Sequence, residues 1–362
     1  MQSTVYKTAG IAAAAPGTKV PSEQTMSWLS SRSLALASIA VVLALLLSPI
    51  SLTDIAAKTA APFRQPSSSS PSSSKNTSSS PAAPMAKPPV YFFSHGGPTV
   101  QYDTQHAAYP VLQQIGREIT QKVKPKAVVV FSAHWQGARD EIYVNKDEHA
   151  DLIYEVADSF YGFPDHYYQA KYPNKGDAQL ASRIMVMLSE AGIASRGVSR
   201  GLDHGVWSGF TVAFDPETNP LNVPLVQVSL FKSESPSAHY ALGRAVSALR
   251  DEGVVIIGAG MSVHNLRDLH SVFDGDGAPL PYTVSFDNAL REAVEADPAQ
   301  REDRMAAVCA RPDARQAHPY MDHVMPVFVA AGAAYEDRGK QTWTFHEGSM
   351  GWAQYRFGQL PE

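Results

Sequence analysis

Cysteine is nearly absent. Cys309 is the single one in 362 residues, which excludes an intramolecular disulfide framework and any CxxC thiolate metal site. Basic runs are missing too. Lysine and arginine number 30 against 35 acidic residues, a formal net charge of -5, and without a basic stripe nothing marks nucleic acid as a partner. No HExxH motif and no clear metal-site glutamate is present, which weakens the case for a zinc hydrolase. What the chain holds in quantity is histidine, 12 in all, so metal ligands and proton carriers can both be drawn from imidazole.

Charge is missing altogether from Ser33 to Leu52. A run of about twenty apolar residues can just span a bilayer as a helix, although Pro49 weakens its last turn. A buried core helix is the alternative, but it would normally keep a polar face. Lys7, Lys19 and Arg32 precede the run and Asp54 and Lys58 follow it, a weak positive-inside bias. Residues 33–53 are therefore expected to be a transmembrane or signal-anchor helix, with a membrane as partner and a single N-terminal span as the localisation. Secretion after signal cleavage stays open, as does a soluble chain whose translation starts at Met26. Residues 1–32 read as a disordered N-terminal segment. Residues 54–89, with PSSSSPSSSKNTSSSPAAP at their centre, read as a Ser/Pro-rich disordered linker that cannot bury enough apolar area to offset chain entropy. The folded unit is expected at 90–362, without a second linker.

Within that unit, short β-rich runs end in histidine. PPVYFFSHGGP carries His95 after the run 90–93, KAVVVFSAHW carries His134, and GVVIIGAGMSVHNL carries His264 after 254–257. A glycine-flanked His204 stands in GLDHGVW. Between these runs, 109–123, 177–192 and 238–253 space their apolar residues as helices do. Strands alternating with helices indicate an α/β fold, here a single globular domain with a central, mostly parallel sheet flanked by helices. Ligands of such sheets gather outside the carboxyl ends of the strands. One strand-terminal histidine is more often structural. Three or four together point to a metal site at the strand C-terminal ends, with nitrogen donors that suit zinc or non-haem iron(II).

The motifs SHGGP (94–98), SAHW (132–135), FYGFPDHYYQAKYPNKGD (160–177), LDHGVW (202–207), GAGMSVHNL (258–266) and SMGWAQYRFG (349–358) occur in this order. Together they resemble the class III extradiol ring-cleaving dioxygenase family, in its DOPA-dioxygenase-like branch, across most of residues 90–358. The resemblance implies an α/β fold around one metal, usually Fe2+ and sometimes Zn2+. It implies His95, His134 and His264 as ligands, and His204 beside the metal as the proton-transfer residue or a fourth ligand. The partners implied are a small aromatic diol, a substituted catechol such as DOPA by analogy with the branch, and O2; a homodimer is the assembly the family suggests. Gly97 and Val263 stand where family members commonly carry hydroxyl residues, which removes hydrogen bonds around the metal.

The chemistry implied opens an aromatic ring beside a vicinal diol. A base must take a catechol proton and an acid must return one as the ring opens, and an imidazole near pKa 6.5 can do both. Asp203 either orients His204 or caps the turn that follows. His318 and His323, in AHPYMDHVMPVFVAAGAA, are candidates for supporting a ligand or touching substrate, because Asp322-His323 resembles an acidic-residue-plus-histidine pair of the family. Trp135 and Trp207 are candidates to wall off an aromatic substrate, and Tyr161 and Tyr172 to line its pocket, against plain packing. His239 reads as a helix-start residue, and His106, His149, His166, His270 and His346 as surface or packing residues. The competing readings are a metal-binding or protein-interaction module without oxygenase chemistry and, more weakly, the zinc hydrolase.

Overall fold

The computed structural model describes residues 87–154, 164–273 and 276–361. Eleven strands are found among the described residues: β1 (Val90–Ser94), β2 (Ala127–Gln136), β3 (Glu141–Asn145), β4 (Ala194–Val198), β5 (Leu225–Leu230), β6 (Val254–Gly260), β7 (Val263–His264), β8 (Gly339–Trp343), β9 (His346–Glu347), β10 (Met350–Gly351) and β11 (Gln354–Phe357). Eight form one sheet in the order β4-β3-β5-β2-β6-β1-β11-β8, and β7-β10-β9 form a small second sheet. The middle of the large sheet, β5-β2-β6-β1, is parallel. Antiparallel pairings close it toward β11 and β8 on one side and join β3 to β5 on the other.

The central strands read as unbroken apolar runs because both faces are covered. Val129 and Phe131 of β2, with Val254 and Ile256 of β6, belong to one core cluster. Their neighbours Val128, Val130, Val255 and Ile257 belong to the other. The first core is covered by α2 (Ala178–Glu190), α4 (Pro236–Ala245), α6 (Pro281–Val294), α7 (Pro298–Cys309) and α9 (Met325–Ala334), the second by α1 (Ala108–Arg117) and α3 (His204–Ala213). Two single turns, α5 (His270–Phe273) and α8 (Ala314–Ala317), complete the helices described.

Start signals explain the helix positions. Asp177 caps α2 by accepting from the backbone N–H groups of Gln179 and Leu180, both at 2.9 Å. Ser235 caps α4 ahead of Pro236, and Asp297 caps α7 ahead of Pro298, the arrangement in which proline's missing N–H costs nothing. Every residue of α9 is buried. A helix without a polar face must lie inside the domain, and α9 does so against β6 and α4.

One expectation is corrected here. A membrane-spanning helix, a membrane partner and a membrane-anchored localisation were expected from residues 33–53, yet among the described residues no helix is long and apolar enough to cross a membrane. The longest α-helix given, α6, has 14 residues, short of the roughly 20 a span needs; the wholly apolar one, α9, has 10 and is interior. Residues 1–32, 33–53 and nearly all of 54–89 lie outside the described residues, as does Tyr161.

Candidate active site

The carboxyl ends of β2, β6 and β1 adjoin, and each delivers a histidine. β1 ends at Ser94, and the next residue, His95, keeps to the sheet by donating its N–H to Gly260 O at 3.0 Å. His134 lies two residues from the end of β2. β6 turns through Met261 and Ser262 into β7, whose last residue is His264. His204 is the first residue of α3. A fifth imidazole, His323, arrives from the segment just before α9.

His323 reaches the site because β6 ends in glycine. A Cβ on Gly260 would stand 2.1 Å from His323 O, so only glycine lets the segment lie against the strand. The same backbone contact is sealed by the Met261 N–H donating to His323 O at 2.9 Å. Gly205 does a similar service for α3: a Cβ there would meet Ser132 Oγ at 2.5 Å and His134 Cδ2 at 2.8 Å. The ring of His204 consequently packs on that of His134, with centroids 3.8 Å apart.

Three imidazoles, His95, His134 and His323, bring one ligand atom each to within 4.8 Å of one another. His264 is outside that group; its ring stacks flat on His323, with centroids 3.5 Å apart and planes at 10°. The third member expected from sequence, His264, is thus joined by a histidine that had been assigned only a supporting place. His204 also stands outside the group, 6.0 Å from His95 by ring centroids.

The nitrogens are poised for a cation. His95 Nδ1 lies 2.6 Å from Gly96 O, so it carries the proton, and its buried Nε2 has no hydrogen-bond partner. His323 Nδ1 is held by Asp322 Oδ1 at 3.0 Å, which turns its Nε2 inward to 3.0 Å from His134 Nε2. Two neighbouring nitrogens bound to one ion at about 2.1 Å each lie about 3 Å apart. A carbonyl or carboxylate on the far nitrogen is also what fixes the tautomer of a metal-bound histidine. The donor set therefore fits a divalent metal.

Burial, followed by the charges of the neighbouring imidazoles, pushes His95, His134 and His264 well below the ordinary histidine range. All three are held in the neutral, ligating form. Burial alone would raise the Asp322 carboxyl, but the charge of His323 and the hydrogen bonds to it hold the group below its ordinary value. His95 and His323 are buried, whereas His134, His264 and Asp322 are half-buried. The cluster has a closed floor and an open side.

Asp203 stands at the N-cap of α3, but its side chain makes no capping bond. Fully buried, its carboxylate accepts from Ser132 Oγ at 2.6 Å, from Arg200 Nη1 at 2.8 Å and from Gln227 Nε2. Ser132 Oγ in turn accepts from the His134 N–H at 3.2 Å, and Arg200 Nη2 donates to His134 O at 3.3 Å. This network clamps the β2 end that carries His134. Trp135, pointing to the other face of the strand, lies under Arg200 with 4.7 Å from guanidinium to ring. Trp207 is buried and donates to Ile153 O, and Tyr172 sits in the core beside Phe210. His318 is buried with Nε2 2.9 Å from Ser262 O, which steadies the β6–β7 bend. The sequence reading missed Arg200, Ser132, Gln227 and Gly260; of these Ser132 and Gly260 stood in motifs already singled out.

Comparison with known proteins gives the family. The family model described as the catalytic LigB subunit of aromatic ring-opening dioxygenase matches residues 82–358. A 4,5-DOPA dioxygenase extradiol-like protein of Schizosaccharomyces pombe is 34% identical over 235 residues, covering 64% of this chain and 75% of that protein. The 4,5-DOPA dioxygenase extradiol of Beta vulgaris is 33% identical over 271 residues, covering 74% of this chain and 95% of that one. Among solved structures, an uncharacterized protein of Escherichia coli K12 matches with a TM-score of 0.59 at 25% identity, covering 75% of this chain and 99% of that one. The chain belongs to the class III extradiol ring-cleaving dioxygenase family, a metal-dependent family. Within it the chain falls in the DOPA-dioxygenase branch and is an extradiol ring-cleaving dioxygenase.

Proposed function

We propose that the enzyme opens the ring of a catechol-type substrate with O2, using iron(II) held by His95, His134 and His323. The observation that carries this is the convergence of their ring nitrogens, with the buried Nε2 of His95 left without a protein partner. His264, stacked on His323, is the additional imidazole at the same end. Iron(II), when bound, brings diol and O2 to one centre and carries electron density between them; zinc suits the same donors, so metal identity is decided by activity. The diol enters from the side of His134 and His264, which are half-buried.

His204 is the proton-transfer residue. It lies against His134 and outside the converging group, so it can take the proton of a diol hydroxyl and return it as the ring opens. Asp203, Ser132 and Arg200 hold the strand end against which it packs. A DOPA-like substrate is supported by the names of the relatives, 4,5-DOPA dioxygenases of Beta vulgaris and Mirabilis jalapa among them.

The test is anaerobic reconstitution with iron(II) or zinc, followed by oxygen uptake and visible absorbance with a catechol panel that includes DOPA. Iron-dependent uptake with a coloured ring-opened product is expected, and His204→Gln should keep the metal while losing turnover. Full metal loading without uptake on any catechol would sink the proposal. Uptake that survives His204→Gln would remove only the role given to that residue.

A further inference from the structure

A cavity of about 270 Å³ lies between α1 and the antiparallel strands β11 and β8, lined in part by Tyr91, Gln114, Glu118, Lys340, Trp343 and Arg356. No histidine lines it. In the β11–β8 register Arg356 stands directly opposite Lys340. Directly opposed residues point to one face of a sheet, and like charges so placed work against its stability. One carboxylate is at hand: Glu118 Oε2 accepts from Arg356 Nη1 at 3.0 Å, and its Oε1 accepts from the Tyr91 hydroxyl at 2.9 Å.

The neutralisation is incomplete. Lys340 makes no ion pair among the described residues, and Arg356 Nε is buried without an acceptor. A buried donor left without a partner is uncommon enough to call for a reason. Tyr91 adds no negative charge, because burial, then the nearby Glu118, pushes its hydroxyl well above the ordinary range. Two cations against one carboxylate leave a net charge of +1 in the cavity.

We propose that this cavity binds a small organic carboxylate, held by Arg356 Nε and the Lys340 ammonium beside the indole of Trp343. A single carboxylate matches the residual charge, whereas a phosphate dianion would exceed it and meet Glu118. The volume is at the low end for ligand sites and suits a single-ring acid. The planar side of a guanidinium suits a carboxylate, and Trp343 offers the ring a flat wall.

Titration calorimetry of the full chain with benzoate, and separately with inorganic phosphate, tests this. One benzoate per chain is expected, bound more tightly than phosphate and unaffected by His134→Ala. Lys340→Ala, at an exposed residue with no ion pair to lose, should weaken benzoate by about tenfold or more. Arg356→Lys should do the same at unchanged charge; if that variant does not fold, the Lys340 variant decides alone. Benzoate that fails to bind, or binds equally well to Lys340→Ala, overturns the proposal. So does binding that disappears with His134→Ala, because the acid would then sit at the histidines, and so does tighter binding of phosphate.

Discussion

His323 owes its orientation to the carboxylate beside it. Asp322 Oδ1 accepts a hydrogen bond from His323 Nδ1, which leaves Nε2 as the nitrogen that faces the centre. Removing such a partner typically lowers metal affinity by about 10–100-fold, so Asp322→Ala should show that loss by equilibrium dialysis with zinc, with its melting temperature little changed. Unchanged affinity would mean that the pair does not set the ring. Asp203 is the contrasting case, a buried carboxylate that works through neighbours. Its loss strands the partly buried Arg200 and frees Ser132 and Gln227, and breaking a buried pair of this kind costs about 3 kcal/mol or more. Urea denaturation of Asp203→Ala should register that drop; a change within error would show the network to be dispensable for folding.

Among the elements, β6 and the segment before α9 are fastened through a single missing side chain. Gly260→Ala would drive a methyl group into His323 O, at 2.1 Å. Overpacking costs about 1–3 kcal/mol, and the strain falls on the residue that brings His323 to the cluster. The variant is expected to melt lower and to bind metal more weakly than its loss of stability alone explains. Normal metal binding in a destabilised protein would place the strain elsewhere.

Elements also differ in how plainly the chain announced them. β1, β2 and β6 were legible because each is an apolar run buried on both faces that leads into a histidine. The helix expected at 109–123 is α1 followed by a wider turn, Glu118–Val123, and the one at 238–253 is α4 followed by a tighter turn, Ser247–Glu252; apolar spacing does not report such changes of pitch. The small sheet β7-β10-β9 escaped notice because two-residue strands carry no periodicity. His323 was underrated for a related reason. Its place depends on Gly260, 63 residues earlier in the chain, and contacts of that range leave no local pattern. Gln227 was hidden likewise, since only the fold brings it to Asp203, whereas Arg200 stands three residues before Asp203 but outside the motif that drew attention.

For the whole molecule, buried neutral histidines set a direction for pH. Burial pushes His239 and His318 down to about 4, against about 6.5 in an unfolded chain. As pH falls below about 6.5 the unfolded chain takes up these protons, while the folded protein does not until near 4. Stability should fall across that window, by roughly 3 kcal/mol per histidine at most, and should be flat with respect to both groups above it. Metal-free protein should therefore show a lower urea midpoint near pH 5 than near pH 7, and His318→Asn should narrow the difference. A midpoint that rises on acidification would reverse the sign and refute the assignment.

The first strand of the domain lies between β6 and β11, pairing Val90 with Phe357 and Ser94 with Gly260. A ribosome makes these residues in order, so β1 waits until Gln354–Phe357 have been made before its second neighbour exists. Met350, opposite His264 in the small sheet, is made just as late. The histidine cluster is therefore fenced on this side only once residues 350–357 have been made and paired. A message truncated after Gly348 should yield a product that protease clears, although it retains all five histidines of the site.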